Sequence, residues 1–219
     1  MPELKKSVGR PKSEEKRNQI ILNAGLLILQ SGYSKTSMET IAKASGVSKQ
    51  TLYSHFANKE EILRAVLKNK IDQYQLDKSM FFAGEVSLQQ GLTMIAKHFI
   101  RLLHDEQVVA MHRVIAGELS VSPEVAAIFY ELGPKAIHSS VSDFIKCRVK
   151  TTKQNINEEK LEGLSKHHTS VFLNMLKGSY HLESLLGLEF ALSEPEQTQH
   201  AKQCVNHSLL LLKHDLNIE

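Results

Sequence analysis

The chain has 219 residues, 42% of them hydrophobic, with no Trp, five Pro and a net charge of +3, a composition that suits one large or two modest helical domains. No apolar run approaches the roughly 18–20 residues of a membrane helix, and the N-terminus stays polar and charged through Gln19, so neither a membrane span nor a secretory signal is expected. The charge is uneven: residues 1–70 hold 13 Lys and Arg against 6 Asp and Glu, and residues 71–219 hold 14 against 18, so a basic part suited to a polyanion precedes an acidic body.

Residues 1–12, MPELKKSVGRPK, lack apolar periodicity and are expected to form a basic, disordered arm. Ser13 is the candidate cap of a first helix, with Glu14 and Glu15 in its first turn. Ile20, Ile21, Ala24, Leu27 and Ile28 then mark one buried helical face, and Gly32 ends it. Thr36 and Glu39 have capping-box spacing ahead of a short helix with Met38, Ile41 and Ala42 inward. Gly46 stops that helix, Ser48 caps the next, and Leu52 and Phe56 form the inner face of the latter. Asn58 with Glu61 signals a longer helix striped by Ile62, Leu63, Val66, Leu67 and Ile71. Further helices are predicted over about 88–104, 106–119, 124–150 with a break near Gly133-Pro134, 166–187 and 195–214, with 151–159 as an exposed loop. No strand-like alternation is sustained, so the fold class is all α with about nine helices.

Two short helices joined by Gly46-Val47 have the sequence form of a helix-turn-helix. Its second helix enters the major groove with N-terminal residues at base edges. Ser48, Lys49, Gln50 and Thr51 fall there; a Gln amide pairs with adenine, a Lys donates to guanine, and a Thr methyl meets thymine. Tyr53 and His55 flank that face as phosphate donors, and Lys59, at the next helix start, is placed to hold a phosphate. In the arm, Arg10 and Lys12 of the GRPK stretch suit a narrow, A·T-rich minor groove.

The stretch TSMETIAKASGVSKQTLYSHFANKEEIL, Thr36 to Leu63, resembles the TetR family of transcriptional regulators. The matching positions are Gly32-Tyr33, Thr36, Ile41-Ala42, Ser45-Gly46-Val47-Ser48, Leu52-Tyr53, His55-Phe56, Lys59-Glu60 and Leu63. Ser45 stands where Ala is usual, and Gln50 where Gly or a small residue is common. The resemblance covers roughly residues 13–65, and His112 to Pro134 loosely resembles the C-terminal domains of AcrR-like and AefR-like members. It implies an N-terminal three-helix DNA-binding domain over residues 13–60 and a helical ligand-binding and dimerisation domain over 61–219. By analogy Thr36 and Ser37 join Lys49, Gln50, Thr51, Tyr53, His55 and Lys59 as DNA contacts.

The resemblance also implies a homodimer on a double-stranded DNA operator, acting as a repressor released by a small hydrophobic effector. Met94, Phe99, Met111, His112, Phe129 and Tyr130 are the candidate pocket residues, with plain core as the alternative. Leu173, Leu176, Tyr180, Leu185, Leu209 and Leu212 are the candidate dimer face, with intrachain core as the alternative. A rival reading keeps DNA binding but makes the body an architectural or partner-recruiting module without an effector. No nucleophile with a neighbouring base, paired carboxylates or phosphate-cradling Gly loop is legible, so no enzyme and no cofactor are expected. His200, Cys204 and His207 share a helical face, and His167 and His168 are adjacent, but no carboxylate or CxxC completes a set and no metal is expected. Cys147 and Cys204 lack pairing spacing, which fits a reducing cytoplasm.

Overall fold

The computed structural model describes residues 12–74, 86–153, 155–188 and 192–217. Arg10 lies outside them, and of Lys12 only the backbone is described, as the first residue of a helix. Every regular element among the described residues is helical: α1 (Lys12–Ser31), α2 (Met38–Ala44), α3 (Lys49–His55), α4 (Lys59–Asp72), α5 (Leu88–Leu103), α6 (Glu106–Glu118), α7 (Pro123–Tyr130), a π-helical turn (Glu131–Lys135), α8 (Ala136–Thr152), α9 (Glu158–Leu185) and α10 (Glu194–Leu216). The chain forms two compact units: residues up to Asn69 with Val114–Ile128, and Lys70–Arg113 with Phe129 onward. The sequence places the boundary at 60/61 and leaves residues 114–128 in the body; α4 instead contributes most of its length to the first unit.

The first unit is built around the apolar faces of α1, α2, α3 and α4. Ile20, Ala24, Ile28, Ile41, Leu52, Phe56, Ile62 and Leu63 are almost wholly buried. Arg17 lays its guanidinium over the Phe56 ring, 4.7 Å from the centroid, so a basic residue covers the core edge by cation–π contact. The cap of α2 is one residue later than its spacing suggests. Ser37, not Thr36, accepts from the Thr40 N–H, and the Thr40 hydroxyl accepts from the Ser37 N–H. Asn58 and Glu61 act as expected: Asn58 Oδ1 accepts from Glu61 N–H, and the Glu61 carboxylate reaches back to Ala57 N–H.

In the second unit α8 lies along α9, and α5 and α9 pack on α10. Leu92, Ile100, Phe144, Ile145, Leu161, Phe172 and Leu176 form its centre. The approach of α5 to α8 requires a glycine: a Cβ on Gly91 would sit 2.0 Å from Phe144 Cζ. Helix α9 begins eight residues before the predicted 166, because Asn157 caps it through Glu159 and Lys160 N–H groups and Leu161 is fully buried. The loop expected over 151–159 is correspondingly short. The predicted break at Gly133-Pro134 falls inside the π-helical turn, where Pro removes a ladder hydrogen bond. The helical path of α9 breaks at Gly178 (φ 56°, ψ −173°).

Candidate nucleic-acid interface

The turn between α2 and α3 fixes how α3 is presented. Ser45 caps α2, the Gly46 N–H donates to Lys43 O at 3.2 Å, and the Val47 N–H donates to Ala42 O at 3.1 Å. That pair of bonds is a Schellman ending, which needs a left-handed residue at Gly46 (φ +62°). Two residues later the Ser48 hydroxyl accepts from Thr51 N–H and starts α3. The chain thus reverses in four residues, with the Ser45, Gly46 and Val47 N–H groups bonded to carbonyls of α2. Leu52 and Phe56 point into the core, and the other side of α3 faces outward.

That outward side carries most of the expected DNA-contact residues. Ser37, Ser48, Lys49 and Gln50 are exposed, Tyr53 is 54% exposed, and Thr51 and His55 are half-buried. The Thr51 hydroxyl bonds Ser48 Oγ at 2.8 Å, which leaves its methyl as the outward feature. Lys49 pairs with Glu39 of α2 in an exposed ion pair, which raises the Lys49 pKa and lowers that of Glu39. Such a pair is weak in water and gives way to a stronger anion.

Two expected contacts sit elsewhere. Thr36 is 3% exposed, and its hydroxyl donates to Gly32 O at 2.8 Å, closing the end of α1. Lys59 is half-buried: Nζ donates to Tyr33 O at 2.9 Å and lies 4.1 Å from the centroid of that ring. Burial lowers its pKa, while Glu118 and Glu124 oppose that shift. Both side chains donate to the turn after α1, Thr36 to Gly32 O and Lys59 to Tyr33 O.

The residue that sequence reasoning missed is Glu118, the last of α6. Its carboxylate accepts from Ser34 N–H at 3.1 Å and from the Ser34 hydroxyl, whose Oγ also lies 3.2 Å from Ser122 Oγ. Ser34 and Glu118 are 84 residues apart, so no local pattern announces the bond.

In the second unit the expected pocket residues divide. Phe99 and Met111 are buried, Met94, His112 and Phe129 are half-buried, and Tyr130 is 57% exposed on the surface. His112 and Phe129 meet edge-on, with centroids 4.8 Å apart. Among the expected dimer residues, Leu173, Leu176, Tyr180 and Leu212 are buried within one chain, and Leu185 and Leu209 are half-buried. The exposed leucines of this region are Leu182, Leu186, Leu188, Leu210 and Leu211. The structure describes no three convergent His, Cys, Asp or Glu groups suited to a metal among the described residues. Nor is any described helix long and apolar enough to cross a membrane.

Residues 20–66 match the family of bacterial regulatory proteins of the tetR type, and residues 90–210 match the C-terminal domain of AefR-like transcriptional repressors. The chain belongs to the TetR family of transcriptional regulators. This TetR-family chain is 38% identical over 90 residues to the repressor ComR of Escherichia coli K12, 41% of this chain and 42% of ComR. It is 29% identical over 115 residues to the activator FasR of Mycolicibacterium smegmatis, 52% of each. The chain spans about half the length of these curated relatives. A flavonoid-responsive regulator, FrrA, superposes with a TM-score of 0.68 at 29% identity, over 90% of this chain and 97% of that one. A TetR-family structure from Mesorhizobium loti MAFF303099 gives a TM-score of 0.68 at 24% identity, over 92% and 98%, and supports the fold alone.

Proposed function

We propose that this TetR-family regulator is a homodimeric repressor that reads its operator with α3 and leaves it when a small hydrophobic effector binds. The observation that carries the reading is the division of α3 and its C-cap: Leu52 and Phe56 are buried, while Lys49, Gln50 and Tyr53 stand outward behind the Schellman turn at Gly46. That is the arrangement a recognition helix needs in a major groove. Gln50 pairs with an adenine edge, Lys49 exchanges Glu39 for guanine or phosphate, and Ser37, Ser48, Tyr53 and His55 hold the backbone. The N-terminal arm, with Arg10 and Lys12, is assigned to the minor groove. Exposed Leu182, Leu186, Leu210 and Leu211 support a second copy. The flavonoid response in the name of FrrA supports an effector.

A route for the effector signal runs along α6. His112 and Glu118 are six residues apart on one helix, and Glu118 holds the turn after α1. Displacing α6 would loosen that hold. Random-library DNA selection with purified protein, followed by footprinting, tests the reading. It predicts two protected half-sites about one helical turn apart, roughly 34–36 Å. Binding to single half-sites by a monomer would sink it.

A further inference from the structure

Two imidazoles in the second unit each bury an Nδ1 atom. His112 on α6 and His181 on α9 lie with ring centroids 5.4 Å apart. Both Nδ1 atoms are closed off from solvent, and neither meets a side-chain partner; the Val108 carbonyl, one turn earlier on α6, raises the His112 pKa and is the one backbone group acting on it. Buried polar atoms are nearly always paired, and an exception calls for an explanation such as an absent ligand.

The electrostatics narrow the ligand. Burial, then His181 and Lys177, push the His112 pKa down to about 4; burial, then Lys177 and His104, lower that of His181. Both rings are therefore neutral near pH 7, and each can offer an N–H. The titratable groups acting on the two rings, Lys177, His104 and each other, are basic, and no carboxylate is among them. Phe129 supplies an aromatic edge beside His112. The break in α9 at Gly178 leaves Lys177, Gly178 and Ser179 exposed, just before His181.

Resting on the reading of an effector-responsive regulator, we propose that His112 and His181 form the polar end of the effector site and that the effector is an organic acid with an apolar body. A carboxylate has two acceptor oxygens, enough to take one N–H from each ring beside the Lys177 ammonium. The apolar body lies against Phe129. An alcohol offers one oxygen and no charge, and a cation meets Lys177 unfavourably.

Calorimetric titration of the full chain with octanoate, trans-cinnamate and octan-1-ol tests this. One acid should bind at least about tenfold more tightly than the alcohol, the fold-change expected for a charge-assisted hydrogen bond. Preference for octanoate identifies an aliphatic body, and preference for cinnamate an aromatic one. His112→Phe and His181→Phe should each bring the acid to the affinity of the alcohol, with the wild-type melting curve and operator shift retained. The acid-to-alcohol comparison uses only wild-type protein, so a variant that fails to fold does not block the test. Equal binding of acid and alcohol, no binding of either acid, or undiminished acid binding by both variants overturns the proposal. Failure of the wild-type protein to shift any selected DNA overturns the regulator reading instead, and the titrations are read without DNA.

Discussion

Ser45 places a hydroxyl at the helix-turn-helix corner, 1% exposed and without a hydrogen-bond partner. A buried unsatisfied hydroxyl costs stability that a methyl of similar size does not. Ser45→Ala should therefore stabilise the protein by about 1 kcal/mol, read as a raised urea midpoint with unchanged slope. An unchanged or lowered midpoint would mean that the hydroxyl is satisfied in solution. Gln50 poses the opposite case, since it is exposed with its amide outward. Gln50→Ala should leave the urea midpoint alone and cost roughly 1–3 kcal/mol at one base pair, seen by comparing single-substituted operators. These positions were legible because the motif is local: Gly46, Ser48, Leu52 and Phe56 lie within eleven residues and dictate which side of α3 faces out. Thr36 and Lys59 each donate to a backbone carbonyl at the end of α1, Gly32 O and Tyr33 O, a partnership that residue type and spacing do not announce. Lys59→Ala is accordingly expected to lower the melting temperature, a loss that a salt-dependent binding assay would not isolate.

Among the elements, α6 is the one whose end decides more than its middle. Burial alone would raise the Glu118 pKa, but Ser34 O–H and N–H, Tyr33 N–H and Lys59 together hold it below its ordinary value of 4.5. A carboxyl depressed on folding adds stability above its unfolded pKa and loses it as pH falls through the folded value. Glu118→Gln should thus be less stable than wild type at pH 7 by about 1–3 kcal/mol. The gap should close as the pH drops below about 4.5, followed by urea unfolding across that range. A gap independent of pH would show that shape, not charge, makes the bond. The meeting of α5 with α8 gives a steric counterpart. Alanine is the better helix former, but a Cβ at Gly91 would overlap the buried Phe144 ring. Overpacking of this kind typically costs 1–3 kcal/mol, more than the roughly 1 kcal/mol gained from propensity. Helix existence and most caps could be read from residues three or four apart. The early start of α9 could not, because Leu161 and Leu164 are sparse among polar neighbours, and the Asn157 cap tells only once the burial of Leu161 is known.

At the scale of the whole molecule, the proposed homodimer asks for an apolar side of α9 and α10 that is free to meet a second copy. Hydrophobicity alone selects Leu173, Leu176, Tyr180 and Leu212, and these are spent on the core of one chain. A helix buried on one side and apolar on both gives the sequence no means of saying which stripe faces inward. Leu182 lies in the last turn of α9 and Leu186 is its C-cap, while Leu210 and Leu211 lie on α10, all largely exposed. The proposed dimer would cover these exposed leucines, and a stable interface needs roughly 800 Å² from each partner. The double change Leu186→Glu with Leu210→Glu adds charge to that stripe without touching the core. It should leave the thermal transition of the separated chain cooperative while sedimentation shifts from dimer to monomer. Operator affinity should fall to that of a single half-site, because the second recognition helix is no longer held at the spacing of the next major groove. If the variant still sediments as a dimer, the copies meet through some other face, and the assignment of these leucines is wrong even though α3 would keep its place on DNA.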